Sequence, residues 1–209
     1  MSQMKRLVDI IIASIALILL SPIFIFVAYK VRKNLGSPIF FYQERPGKNC
    51  NLFKMMKFRS MKNAVDENGI PLPDDQRITP FGQKLRSLSL DEMPQLINVL
   101  KGHMSVVGPR PQLPEFVEHY TKHQLRRHEV KPGMTGLAQV NGRNNLSWEE
   151  KFDLDVQYVQ TQSIALDFKI MFKTVEVMLK KEGIDSPDQT VGASRFSGKE
   201  TTDTKSTHH

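Results

Sequence analysis

The sequence predicts an α+β fold, mostly helical, in which a long apolar N-terminal segment precedes one small β-hairpin and a series of amphipathic helices. Three observations carry this. Leu7 to Tyr29 is an apolar run broken only by Asp9, Ser14, Ser21 and Pro22. Two strand-like runs, Pro38 to Gln43 and Leu52 to Phe58, flank the turn cluster Arg45-Pro46-Gly47-Lys48-Asn49. Beyond them apolar residues recur at helical spacing, as in Met93, Leu96, Ile97 and Leu100. The chain divides into a membrane segment (1–35), a body (36–185) and a polar tail (186–209).

Composition narrows the partners. The 209 residues carry a formal net charge of +7, and the pI of about 9.5 favours anionic partners: phosphates, an acidic membrane surface or nucleic acid. A single cysteine, Cys50, rules out an internal disulfide framework and suits a reducing compartment. The six histidines show no metal-ligand spacing, and no internal repeat is present.

As a helix, the 23 residues from Leu7 to Tyr29 would reach roughly 35 Å, enough to cross a bilayer. Cations flank both ends: Lys5 and Arg6 before, Lys30, Arg32 and Lys33 after. Such flanks give no orientation bias and favour keeping both ends on the cytoplasmic side. Pro22 removes the hydrogen bond to the Ile18 carbonyl and bends the helix, while Ser21 can answer the freed carbonyl. A helix that dips in and returns and a kinked spanning helix explain this run equally well.

The hairpin leaves through the basic stretch Lys57-Phe58-Arg59-Ser60-Met61-Lys62. Asp66 to Asp75 is a polar loop. Thr79-Pro80 reads as an N-cap and first helical residue, opening a helix through Leu85 and Arg86. Next comes Ser89-Leu90-Asp91-Glu92-Met93-Pro94-Gln95-Leu96. Pro94 must lie in a first turn, and Lys101-Gly102 closes the helix. Asp91 and Glu92 then stand at the dipole-positive end, where a carboxylate stays ionised and anions bind. Taken alone the stretch reads as a capping box, Ser89 to Glu92. Pro109 and Pro111 hold Arg110 in a stiff extended segment suited to presenting a guanidinium to a phosphate. Pro114 to His128 reads as a polar helix. Lys131 to Gly136 and Val140 to Asn144 read as glycine-rich turns, the second presenting Arg143. Ser147-Trp148-Glu149-Glu150 is a capping box opening a helix toward Tyr158. Ala165 to Lys181 is amphipathic, with Phe168, Met171, Phe172, Val175, Met178 and Leu179 on one stripe. That stripe either packs on the core or lies in a membrane interface.

A membrane segment, arginines on stiff loops and a carboxylate pair together point to phosphoryl-group chemistry at a membrane face. Mg²⁺ is the natural metal for hard oxygen ligands and phosphates. A membrane-tethered nucleic-acid binder fits less well, because the cations are dispersed and no binding module is present. A non-catalytic scaffold would use Asp91 and Glu92 only as caps.

An ordered set of motifs resembles the bacterial sugar transferases, the monotopic phosphoglycosyl transferases, and among them the PglC type. The set runs from Lys57-Phe58-Arg59-Ser60-Met61 through Arg77-Ile78-Thr79 and Leu85-Arg86 to Ser89 to Leu96. It continues with Met104 to Pro111 and with Lys131 to Gly136, then Gln139 to Arg143. The resemblance implies transfer of a sugar 1-phosphate, N,N'-diacetylbacillosamine 1-phosphate in the PglC type, from a UDP-sugar to undecaprenyl phosphate. UMP is released, and downstream glycosyltransferases are expected partners. It implies that Asp91 attacks the β-phosphorus to form a covalent intermediate, with Glu92 beside it and Mg²⁺ at Asp91. Lys57, Arg59, Arg86, Arg110 and Arg143 are the expected substrate-holding cations. It also favours a re-entrant helix broken at Ser21-Pro22. The expected location is monotopic, in the lipid of the bacterial inner membrane, with the catalytic domain on the cytoplasmic face. Two departures stand out: His103 where the family usually has Asp, and Cys50-Asn51 in the hairpin turn.

Overall fold

The computed structural model describes residues 2–70, 72–142 and 146–180. The polar tail and Arg143 lie outside the described residues. The N-terminal run forms two helices, α1 (Gln3–Leu19) and α2 (Ser21–Leu35), bent by 65° at Leu20. Among the described residues no single helix is long and apolar enough to cross a membrane, but the pair together has that length and composition. The bend has its expected cause. Pro22 opens α2, and the Ser21 hydroxyl donates to the Ile18 carbonyl at 2.8 Å, answering the acceptor that proline leaves free.

Strands β1 (Phe40–Pro46) and β2 (Leu52–Phe58) pair antiparallel, Phe40 opposite Phe58 and Pro46 opposite Leu52. Arg45 and Pro46 therefore belong to the strand rather than the turn. A loop with two short helices, α3 (Asp74–Arg77) and α4 (Pro80–Ser87), follows. Thr79 caps α4, its hydroxyl accepting from the Gly82 amide at 3.1 Å. A single 3₁₀ turn (Leu90–Glu92) leads into α5 (Gln95–Leu100). Asn98 on α5 is buried and stitches it to β2, accepting from the Met56 amide and donating to the Lys54 carbonyl, each at 2.9 Å.

Strand β3 (Ser105–Val107) pairs parallel with β4 (Gly133–Thr135). The sequence reading made residues 131–136 a turn. Glycine explains the strand: a Cβ on Gly133 would lie 2.1 Å from the Gly108 amide nitrogen, so the backbones meet at a distance no side chain permits. The expected helix over 114–128 is instead a 3₁₀ helix (Pro114–His119), α6 (Lys122–Leu125) and a second 3₁₀ helix (Arg126–Glu129). Arg127 and His128 there are buried, while Glu115, Glu118, His119, Lys122 and His123 stay exposed as expected of a polar segment. Its interior partners hold it to the core instead of letting it run as one solvated helix. Helix α7 (Leu137–Val140) precedes α8 (Trp148–Thr161), whose Ser147 to Glu150 capping box forms as expected.

Helix α9 (Ile164–Lys180) divides differently from expectation. Asp167, Ile170 and Val177 are buried, whereas Phe168, Phe172, Val175, Met178 and Leu179 are exposed. Most of the predicted stripe therefore faces away from the core.

Helix α1 packs on α5 and β3 through a polar face. Lys5 is 4 % exposed and Asp9 2 %. Lys5 Nζ meets Asp167 Oδ2 at 2.6 Å and donates to the Val107 carbonyl at 3.2 Å. Asp9 accepts from the Ser105 hydroxyl and the Val106 amide, each at 3.0 Å. Arg6 donates to the carbonyls of Val99 and Leu100, closing the C-terminus of α5. Lys5 and Arg6 are thus internal ties, and of the expected flanking cations Arg32 and Lys33 remain exposed.

Removing one partner of a buried ion pair strands the other, at a cost of about 3–5 kcal/mol. Asp167→Asn should lower stability by several kcal/mol, read by chemical denaturation in detergent. The double change Lys5→Met with Asp167→Leu should lose less. A second expectation concerns His128, which shares a hydrogen bond with the Gly47 carbonyl at 3.1 Å. Burial, aided by Arg127, pushes its pKa down to about 4. The unfolded chain therefore binds a proton that the folded chain refuses between about pH 6.5 and pH 4. Stability should fall through that window as pH drops, by roughly 2–3 kcal/mol. His128→Gln should flatten that part of the curve.

Candidate active site

Ser89 takes a left-handed conformation (φ 54°) and turns the chain from α4 into the 3₁₀ turn. This orientation denies Ser89 the predicted capping role: its side chain makes no cap hydrogen bond. The expected dipole position is also not realised, because α5 begins only at Gln95. Lys57, Arg86 and Arg110 act on Asp91 only through their charge.

Glu92 is the organising member of the pair. Lys57 Nζ, from β2, meets Glu92 Oε1 at 2.8 Å. Arg110 Nη2, from the loop after β3, reaches the same oxygen at 2.7 Å, and its Nη1 reaches Oε2 at 3.3 Å. Burial alone would raise the Glu92 carboxyl, but Arg110 and Lys57 together reverse this and hold it far below the usual range. Asp91 differs. It is 7 % exposed and, among the described residues, accepts no hydrogen bond and makes no ion pair. Burial pushes its pKa up, Lys57, Arg86 and Arg110 pull it down, and Glu92 raises it further; the net shift is upward. The dyad therefore holds one carboxylate neutralised by cations and one desolvated and unengaged. That is the division of labour expected of a positioning acid and a nucleophile.

The predicted cations separate. Lys57 and Arg110 stand on Glu92. Arg86 donates from Nε to the Ser60 hydroxyl at 2.9 Å and acts on Asp91 through its charge. Arg59 is turned elsewhere: it is 6 % exposed and donates to the carbonyls of Leu35, the last residue of α2, and Ser37 just beyond it. His103 packs near the Phe53 ring, 6.0 Å between centroids, at the exit of α5. Lys57, Arg86 and Arg110 set three positive charges against two carboxylates, and the surplus suits a diphosphate.

The sequence reading missed four residues near Arg110. Arg45, on β1, is held down to about 10 by burial and then by the Arg110 charge. Arg127 donates from Nη2 to the Arg110 carbonyl at 2.7 Å and to Asp155 Oδ2 at 2.6 Å, and from Nη1 to the Tyr120 hydroxyl at 2.6 Å. One signal was readable: Asp155 lies among Phe152, Val156 and Tyr158 on the buried face of α8, where an acid needs a cation. A surface depression of about 380 Å³ along Tyr42, Glu44 and Lys54 is on the solvent face of the hairpin. Lys54 and Lys57 point to opposite faces of β2, so this depression is not continuous with the dyad.

The chain is 50 % identical over 195 residues to the sugar transferase EpsL of Bacillus subtilis, covering 93 % of this chain and 96 % of that one. It is 43 % identical over 181 residues to the UDP-glucose:undecaprenyl-phosphate glucose-1-phosphate transferase of Klebsiella pneumoniae. It is 39 % identical over 197 residues to the undecaprenyl-phosphate galactose phosphotransferase of Salmonella typhimurium. These matches cover 82 % and 86 % of this chain but only 39 % and 41 % of the two relatives. The family model for bacterial sugar transferase matches residues 1–181. The chain belongs to the bacterial sugar transferase family.

Proposed function

We propose that this chain transfers a sugar 1-phosphate from a UDP-sugar to undecaprenyl phosphate, releasing UMP. The observation that carries the reading is the desolvated, unengaged Asp91 beside a Glu92 locked to Lys57 and Arg110. An Asp91 oxygen attacks the β-phosphorus, and the bond from that phosphorus to the bridging oxygen breaks. UMP departs with the electron pair, and the sugar phosphate is left on Asp91 as an acyl phosphate. A phosphate oxygen of undecaprenyl phosphate then attacks the same phosphorus and frees Asp91. Lys57, Arg86 and Arg110 hold the diphosphate and offset the charge growing on the departing phosphate. Arg143 is a further candidate for this role.

Among the described residues no group of three or more His, Cys, Asp or Glu could hold a metal ion by itself, but a Mg²⁺ brought by substrate phosphates needs only one or two protein carboxylates. Asp91 would hold it, since Glu92 is already occupied by cations; bound there, the ion supplies neutralisation of phosphate charge. The relatives' names support a UDP-hexose used in polysaccharide assembly. The PglC-type motifs support UDP-diacetylbacillosamine and glycan assembly for N-glycosylation.

The membrane assignment rests on the exposed apolar side chains of α1, α2 and α9. Leu7, Ile11, Ile15, Ile18, Ile25, Phe26, Phe172 and Leu179 are left uncovered. Each Å² of such surface moved into lipid contributes about 25 cal/mol. We place α1 and α2 as a re-entrant pair bent at Ser21-Pro22, with the body on the cytoplasmic face of the inner membrane and α9 along the interface. In a Cys50→Ser background, single cysteines at Ser2 and Ser37 should both react with an impermeant maleimide from the cytoplasmic side only. Reaction from opposite sides would establish a spanning helix.

The chemical test uses purified protein, Mg²⁺ and, separately, UDP-glucose, UDP-galactose and UDP-diacetylbacillosamine, without polyprenol phosphate. UMP should appear as a burst approaching one equivalent, absent in Asp91→Asn. UMP only after acceptor is added would overturn the two-step route, and none from any donor would overturn the function.

A further inference from the structure

We propose that Arg127 is a positioning residue that aims Arg110 at the dyad by holding its backbone carbonyl, through a fork shared with Asp155 and Tyr120. The inference rests on the site reading above, in which Arg110 braces Glu92 and the substrate phosphates.

Arg110 lies between Pro109 and Pro111, and neither proline has an N–H with which to fasten the segment. The loop is held by its carbonyls. The Gly133 amide donates to the Pro109 carbonyl at 2.9 Å, and Arg127 donates to the Arg110 carbonyl at 2.7 Å. Arg127 is 2 % exposed and is itself fixed from three sides. Asp155 supplies its counterion, the Tyr120 hydroxyl accepts from its other nitrogen, and its guanidinium lies 5.4 Å and 5.0 Å from the Tyr120 and Phe152 ring centroids. Its charge is thus balanced without reference to the dyad. What it contributes there is geometry: Nη2 serves Asp155 and the Arg110 carbonyl at once, which a lysine ammonium on a flexible stem cannot reproduce in the same plane. A shift of the Arg110 backbone would move a guanidinium that reaches Glu92 through two hydrogen bonds.

The test is a double-mutant cycle on the full chain in detergent, using whichever UDP-sugar the wild type turns over. Arg127→Lys should lower kcat/KM about tenfold or more while the thermal transition is kept within a few degrees. In an Arg110→Ala background the same change should have little further effect, because the group it aims is gone. An equal loss in both backgrounds would mean a merely structural role and overturn the proposal. Tyr120→Phe, nearly the same shape but without the hydroxyl that holds Arg127, replaces Arg127→Lys if that variant does not fold, with the same coupling expected. A readout without turnover runs alongside: the Nε–Hε NMR signal of Arg110, assigned by its loss in Arg110→Ala. In Arg127→Lys its exchange with water should quicken several-fold, and an unchanged rate would overturn the proposal. A wild type inactive on every donor would overturn the function proposed above, and the Arg110 signal would still decide the role of Arg127.

Discussion

Glu92 joins three parts of the chain that share no secondary structure. Lys57 comes from the hairpin, Arg110 from the loop after β3, and the carboxylate from the turn before α5. Each partner alone would be a half-buried charge with an incomplete answer. Together they fix the distance between hairpin, turn and loop. Asp91, one residue earlier, takes its place from that arrangement. Its freedom from hydrogen bonds is therefore a product of its neighbour's engagement. A carboxylate that shared the same cations equally would have less to gain from attacking phosphorus.

The same logic recurs deeper in the molecule. Lys5, Asp9, Asp167 and Tyr158 form a buried polar seam between the N-terminal helix and the body, with the Tyr158 hydroxyl donating to Asp167 Oδ1 at 2.7 Å. Arg127, Asp155 and Tyr120 form another behind Arg110. In each, side chains close hydrogen bonds that irregular backbone leaves open, at the Val107 and Arg110 carbonyls. Short helices and three-residue strands provide few backbone ladders of their own, so arginine and lysine act as connectors. The basic composition has an internal use as well as an electrostatic one.

Much of the local structure was legible from the residues. Pro22, Thr79-Pro80 and Ser147 to Glu150 are governed by contacts within four residues, and each behaves as such rules require. The dyad was legible as an unusual pair, but its electrostatics were not, because Lys57 and Arg110 approach from 35 and 18 residues away. Capping rules misjudged Ser89 for a related reason: Glu92 was already committed to distant cations. Residues 131–136 read as a turn because glycine signals both turns and close strands, and only the partner at Gly108 distinguishes them. Arg59 was read as a substrate-holding cation and Arg127 was passed over, since burial of a cation depends on acceptors that sequence distance conceals.

The polar seam along α1 has a practical consequence for anyone wishing to simplify this protein. An N-terminal hydrophobic helix invites removal as a detachable tether. Here the deletion would leave Asp167 without its counterion and the last carbonyls of α5 without Arg6. It would also uncover the Phe53, Leu96 and Met104 cluster against which Ala13 packs. A less apolar version is better sought by recolouring the outward residues of α1 and α2 and keeping the inward ones, so that the helix survives as part of the interior while its exposed apolar surface becomes polar.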